Sequence, residues 1–337
     1  MDKFMRQFGE ANLAACRDST GIAALFDRWV LPGQPAGSHG LRVAIRNNYL
    51  NFYVKGQSVG ELRLHGEWPR LTLHRKYHEL VPKGESRATG PGQTYVTLKA
   101  DMLELATPAL VDGWIRTAET YAGDEKRFVD DLVAVTPGTI DLEMALPAQD
   151  GSTGEDRTAP RMDLVVAQGT DIAFWEAKCA VNGELRARSD YAEDAAGRYA
   201  AGPHVLWQLR RYQKWCQQEG RITQVRDAYV ETARLLLALA RLFGKSGPAL
   251  AAWQALAEAG STASVILPPG IVVADYTPQA AGAAASAEDV NRSKGRSFAE
   301  HKAKLEAHGA TVACVAQTPT APVLPMLTPG IIKETLN

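Results

Sequence analysis

The chain has 337 residues, of which 45% are hydrophobic and 22% charged, and its formal net charge is -1. That length suffices for two domains and a sizeable core, while the near-zero charge excludes a globally basic nucleic-acid binder and leaves anion binding to local patches. Four scattered cysteines (Cys16, Cys179, Cys216, Cys314) show no CxxC pair or zinc spacing, and no apolar run reaches the roughly 18 residues of a membrane span, so reduced thiols in a cytoplasmic, non-membrane protein are expected.

Phe4, Phe8, Leu13, Ile22, Leu25, Phe26 and Trp29 recur at roughly helical spacing and predict helix over residues 1 to 30, broken near Ser19-Thr20-Gly21. A loop follows at 31–37. From Leu41 to about Leu80 the pattern becomes a strand meander of 41–54, 61–65 and 71–80. Its turns fall at Lys55-Gly56-Gln57-Ser58 and Gly66-Glu67-Trp68-Pro69. Residues 40 to 99 carry ten Lys or Arg against four Glu, with Tyr49, Phe52 and Tyr53 interleaved. Cations and stacking rings suit nucleic acid; a small sheet with a solvated charged face accounts for the same residues.

Gly56-Gln57-Ser58-Val59-Gly60 has the form of a nucleophile elbow, but strand-like Glu61-Leu62-Arg63-Leu64 follows where a helix is needed, so it reads as a hairpin turn. His74 and His78 have the spacing of a helical metal pair in chain that reads as extended. The Gly/Pro-rich stretch 81–93 marks a hinge, and a β-rich domain at 1–104 is expected before an α/β domain at 105–337.

Pro108 to Tyr121 reads as helix. Asp124 to Val135 is an amphipathic helix with Phe128, Leu132 and Val135 inward and Glu125 near the buried face at its start. A helix-end role for Asp124 and Glu125 is the plainer alternative. Thr139 to Leu146 alternates like a strand, and 150–159 is a polar loop. Arg161 to Val166 and Ile172 to Cys179 then form two strands around Gln168-Gly169-Thr170-Asp171. Period two places Glu176 and Lys178 on one face, and the hairpin can bring Asp163 to them. Two carboxylates make a hard oxygen site for Mg²⁺ or Mn²⁺. Such an ion holds a phosphate and acidifies a water, and a lysine beside it stabilises developing negative charge. Solubility charges on an edge strand are the bland alternative.

Asp190 to Ala200 is predicted helical, with an Asp190-x-x-Glu193 capping pattern. Pro203 opens the next helix, where Gln208 and Tyr212 share a face and Arg210 and Arg211 are placed for phosphate. Thr223 to Phe243 is a long helix. Gly244-Lys245-Ser246 is not a P-loop, because Leu239 stands where the earlier glycine is needed. Strands at 265–267 and 271–273, a mobile Ala/Gly/Ser-rich segment at 278–295, a helix at 297–307 and a strand at 310–315 complete the reading.

Asp163, Glu176 and Lys178 resemble the D-x(n)-E-x-K pattern of the PD-(D/E)xK, or restriction-endonuclease-like, nuclease superfamily. Met162 stands in place of its usual proline, with Pro160 two residues upstream. The order helix, strand, strand, strand is similar to that superfamily's core, and Gln208-x-x-x-Tyr212 resembles the extra motif of the RecB-type exonuclease branch. The resemblance covers roughly residues 119 to 215. It implies an α/β fold with a restriction-endonuclease-like core, a central mixed sheet flanked by helices; the small β-rich N-terminal domain lies outside it and is expected to select a target or bind a partner. The resemblance further implies Mg²⁺- or Mn²⁺-dependent hydrolysis of DNA. Asp163, Glu176 and the carbonyl of Ala177 are the implied metal ligands, with Glu125 completing the shell and Glu119 in reserve. Lys178 is implied to orient the attacking water, and Gln208 and Tyr212 to shape the site and touch substrate; Arg210 and Arg211 beside them are expected to contact its phosphates. The superfamily spans restriction, repair, recombination and phage defence, and RNA stays open as a substrate. The rivals are an inactive nuclease-fold subunit that binds or scaffolds, which the complete D/E/K set disfavours, and a non-nuclease with a solvated acidic face.

Overall fold

The computed structural model describes residues 4–8, 19–65, 68–78, 94–147, 161–276 and 298–334. The expected hinge at 81–93, the polar loop at 150–159 and the mobile segment at 278–295 lie outside them. Phe4 to Phe8 is extended rather than helical, with Gln7 bridging to Asn47. The first helix is α1 (Thr20–Asp27).

An antiparallel sheet follows, β1 (Arg42–Arg46), β2 (Tyr49–Val54), β3 (Gln57–His65), β4 (Trp68–His74) and β5 (Tyr95–Leu98), in sequential order. Lys55 and Gly56 alone turn β2 into β3, with φ of 46° and 68°. This is the left-handed pair that a tight hairpin requires. Gly56 is needed twice over, since a Cβ there would lie 2.6 Å from the Lys126 carbonyl oxygen. The strand expected over 71–80 stops at His74. Arg75–His78 then makes a single helical turn, α2, so His74 and His78 do not form a helical pair.

Helices α3 (Ala100–Glu104), α4 (Pro108–Glu119) and α5 (Asp124–Val135) lead to the central sheet. Pro108 opens α4, and the Thr107 side chain accepts from the Leu110 amide, satisfying one of the helix's unpaired N–H groups. Strands β6 (Thr139–Ala145), β7 (Arg161–Gln168) and β8 (Asp171–Cys179) form an antiparallel meander. After it come a hairpin of β9 (Ala192–Glu193) and β10 (Tyr199–Ala201), then α6 (His204–Cys216), α7 (Arg221–Leu242) and α8 (Ala249–Ala259). Strand β11 (Ser264–Val265) pairs with the start of β8, and β12 (Gly270–Ala274) runs parallel to its end. Helix α9 (Ala299–Ala307) and strand β13 (Val312–Val315), parallel to β12, follow. The central sheet is therefore mixed, in the order β13-β12-β8-β7-β6. Among the described residues no helix is long and apolar enough to cross a membrane.

The helix expected at Asp190–Ala200 is a hairpin instead. Asp194 Oδ1 accepts from the amides of Ala196 and Arg198, and Gly197 takes φ 75°. A carboxylate that captures amides two and four residues on competes with helix.

Strand β8 is buried on both faces, which explains its near-continuous apolar run. Ala173, Trp175 and Ala177 pack with Phe128 and Leu132 of α5. Phe174 packs between Tyr212 of α6 and Tyr229 of α7, with ring centroids 5.0 and 6.0 Å away. Gly270 lets β12 approach, since a Cβ there would lie 2.5 Å from the Trp175 ring.

The N-terminal sheet and the central sheet share the larger apolar core, which includes Phe26, Phe52, Phe174 and Trp215. Two buried carboxylates cross the expected boundary at residue 104. Asp130 of α5 pairs with Arg42 at 3.0 Å and Lys55 at 2.9 Å. Asp141 of β6 pairs with Arg6 at 3.2 Å and with Arg46, and accepts from Tyr229 Oη at 3.0 Å. Removing one member of such a network leaves buried charge unpaired. Asp141→Ala is expected to lose about 3–5 kcal/mol in urea unfolding; a loss under about 1 kcal/mol would show that this network does not hold the two sheets together.

Candidate active site

Strands β7 and β8 pair from Gln168–Asp171 to Leu164–Trp175, where their ladder ends. The Ala177 amide donates to Asp163 Oδ2 at 2.7 Å instead of to a strand carbonyl. Met162 and Arg161 stay with Met144 and Ala145 of β6, while Glu176 to Cys179 stay with β12. The two strands thus open into a fork that holds Asp163, Glu176 and Lys178. Glu143, beside the fork on β6, has φ 49°, a conformation that costs a non-glycine residue on the order of 1 kcal/mol.

Glu176 and Lys178 are buried, at 5% and 8% exposure. Lys178 Nζ lies 2.7 Å from Glu176 Oε1 and 3.2 Å from Glu184 Oε2. Glu176 Oε2 is buried without a hydrogen-bond partner among the described residues. Burial pushes the Glu176 carboxyl up to about 7; Lys178 opposes the shift, and Glu184 and Glu125 add to it. Burial, and then the charge of Glu176, hold Asp163 well above the usual carboxylate range, with Glu143 adding to the effect. For Lys178 burial works against the charge, but Glu176 and Asp163 outweigh it and hold the ammonium above its ordinary range. One cation thus serves an excess of carboxylates.

Glu125 reaches this cluster through Asn182, whose Nδ2 donates to Glu125 Oε1 at 2.5 Å. The Asn182 side-chain oxygen accepts from the Glu184 amide at 2.9 Å and fixes the short turn Gly183–Leu185. Glu119 is spent elsewhere, 3.7 Å from Arg127. His204, at the start of α6, places Nδ1 3.4 Å from Glu184 Oε1. Gln208 follows one turn later, with its side-chain oxygen buried and unpartnered among the described residues.

Tyr212 departs from the expected substrate contact. It is fully buried, and its hydroxyl meets Met144 Sδ at 3.6 Å. At Tyr212 α6 lies over the apolar core, against Phe174. Arg210 is also committed. It pairs with Glu193 at 3.0 Å and with Glu334, and donates to the Ile332 carbonyl at 3.2 Å, so it pins the C-terminal segment rather than a phosphate. The Arg211 guanidinium lies 4.5 Å from the centre of the Trp207 ring.

Sequence reasoning missed Glu184, Asn182 and Glu143. Asn182-x-Glu184 after a strand carries the signal of an Asx turn, but nothing local ties it to Lys178. The left-handed backbone at Glu143 has no sequence signal at all.

Comparison with family models, curated proteins and solved structures finds no match to this chain. The site stands on its geometry. Among the described residues no three His, Cys, Asp or Glu side chains close around one point. A hard divalent ion does not require that. Mg²⁺ is commonly held by one or two carboxylates together with water and substrate phosphate. The unpartnered Glu176 oxygen and the mutually repelling Asp163 and Glu176 fit that donor set.

The raised Asp163 carboxyl has a stability consequence. Its folded form binds a proton that the unfolded chain has released above about pH 4, so folding loses stability as pH rises from there. An asparagine keeps an acceptor for the Ala177 amide without the charge. In unfolding titrations without divalent ions, Asp163→Asn is expected to be more stable than wild type at pH 8 by on the order of 1 kcal/mol, with the gap closing towards pH 4. A destabilised variant at pH 8 would mean that the charge is not under strain.

Proposed function

We propose that the protein is a metal-dependent nuclease with a restriction-endonuclease-like core, hydrolysing phosphodiester bonds of DNA. The observation that carries this reading is the fork itself, where a sheet parts and gathers half-buried Asp163 with buried Glu176 and Lys178. The antiparallel meander β6-β7-β8, extended by parallel β12 and β13, with α5 before it and α6 after it, supports the same reading. Mg²⁺ or Mn²⁺ in the fork supplies charge neutralisation, a polarised phosphate and a more acidic water.

Asp163 and Glu176 are the residues that would hold the ion, with the Ala177 carbonyl as the resemblance implies. The charges of Glu176 and Asp163 favour the ammonium form of Lys178. Its ammonium orients the attacking water and stabilises the charge that develops on the phosphate. Glu184 and Glu176 aim it. Glu125, through Asn182, fixes the turn that carries Glu184. Gln208, one turn after His204 on α6, offers an unspent carbonyl.

The test is cleavage of single- and double-stranded DNA with Mg²⁺, Mn²⁺ or EDTA. Wild type is expected to cut only with metal, and Lys178→Ala to lose about 100-fold or more. A parallel thermal melt needs no activity: Mn²⁺ is expected to raise the midpoint of wild type and not of Asp163→Asn. Stabilisation by metal without cutting would favour the inactive binding subunit, and neither effect would sink the metal site.

A further inference from the structure

A cleft of about 740 Å³ separates strands β2–β4 of the N-terminal sheet from the corner formed by α5, β6 and β7. Three cations on its walls, Lys76, Lys126 and Arg161, form no ion pair among the described residues. Lys126 donates to Gln57 Oε1 at 2.9 Å, and Lys76 Nζ lies 3.5 Å from the centre of the Tyr121 ring. The arginines deeper in the wall, Arg6 and Arg46, are consumed by Asp141. Of the acids lining the cleft, Glu61 is paired with Arg63 at 3.2 Å, which leaves Glu143. Burial and the charge of Lys126 push the Lys76 ammonium below its ordinary range. Like charges held this close favour an anion between them.

The same cleft presents a ring. Tyr95 is 66% exposed and meets His74 edge-on at 5.5 Å. An exposed aromatic beside unpaired cations is the composition of a single-strand nucleic-acid groove. The volume lies within the range of small-ligand pockets, enough for one or two nucleotides and too confined for a duplex. The cleft also adjoins the fork. Arg161 stands two residues before Asp163 on β7, Lys126 follows Glu125 on α5, and the charge of Glu143 acts on Asp163.

We propose that this cleft seats one or two nucleotides of a single nucleic-acid strand leading into the fork, with Lys76, Lys126 and Arg161 on its phosphates and Tyr95 against a base. The role as a path to the fork rests on the nuclease reading; the binding itself does not. An acidic peptide would satisfy the cations but leave the exposed ring unused.

The experiment is fluorescence anisotropy of a labelled oligothymidine with the full chain in EDTA, where cutting plays no part. Lys76→Glu with Arg161→Glu is expected to weaken binding more than tenfold and to flatten the salt dependence by roughly 0.7 per lost phosphate contact. Tyr95→Ala is expected to weaken it about tenfold, and a duplex of equal length to bind less tightly than the single strand. Thermal midpoints near wild type establish that these variants fold. Binding unchanged in both cleft variants overturns the proposal, as does equal competition by polyglutamate together with no effect of Tyr95→Ala. Cleft-dependent binding by a wild type that never cuts would sink the nuclease reading and leave the cleft standing.

Discussion

The hydrogen bond from the Ala177 amide to Asp163, 2.7 Å long, marks the point at which β8 changes partners. Before it β8 pairs with β7; beyond it only β12 remains. A side-chain carboxylate that replaces a ladder carbonyl satisfies the amide without holding the strands at ladder spacing. The space so opened is filled by charge rather than by apolar side chains. Burying carboxylates costs several kcal/mol each unless they are paired, and Lys178 offsets part of that cost. The other face of β8 carries none of it. Trp175 and Ala177 are packed under α5, and Gly270 brings β12 close against the Trp175 ring. One strand therefore has a rigid apolar face and a charged face held in place by it.

The N-terminal sheet is fixed to the same frame by ion pairs. Asp130 lies five residues after Glu125 on α5, and Asp141 two before Glu143 on β6, so each anchor sits on an element that also borders the fork. For Asp130 burial favours the neutral acid, but Arg42 and Lys55 outweigh it and hold the carboxyl below its usual range. That pairing contributes stability above the unfolded carboxylate pKa, about 4, and is lost as pH falls below it. Apolar packing alone tolerates small rotations, whereas a buried carboxylate held by two cations tolerates few. The position of Lys126 relative to β2 and β3, and hence the shape of the cleft, follows from these anchors and from the absent side chain at Gly56.

What was legible in the sequence had short range. Period two placed Glu176 and Lys178 on one face, helical period placed Phe128 and Leu132 inward, and Lys55-Gly56 announced its hairpin. The misreadings share a cause, which is a local signal overruled by a partner distant in sequence or by side-chain capture of the backbone. Asp190-x-x-Glu193 looks like a helix start, but Glu193 is taken by Lys214 at 2.6 Å and by Arg210, while Asp194 closes a turn. Arg210 looked free for phosphate because Ile332 and Glu334, its partners, lie at the far end of the chain. Tyr212 shares a helical face with Gln208, yet one turn of α6 separates a polar wall from the core. Asn182 and Glu184 stood in a polar stretch whose importance depends on Lys178 being buried above it.

Glu184 also answers a difficulty that the charge pattern raises. On the proposed reading Asp163 and Glu176 would hold a divalent ion, and Lys178 would then lose part of its strongest ion pair. A lysine released in this way would swing toward water, because its flexible stem carries a strongly hydrated charge. Glu184 Oε2, 3.2 Å away, is a second carboxylate that does not belong to the ion's donor set. It sits on a turn that Asn182 fixes, and Asn182 is in turn bonded to Glu125. The tether therefore survives the loss of the first partner, and it leaves the ammonium's remaining N–H groups for the substrate side of the fork. A lysine with one carboxylate that would serve a metal and another that would not keeps its ammonium aimed in either case. Three of the five residues in this arrangement, Glu125, Glu176 and Lys178, are visible in the sequence as candidate site charges; Asn182 and Glu184 gain meaning only from the fold.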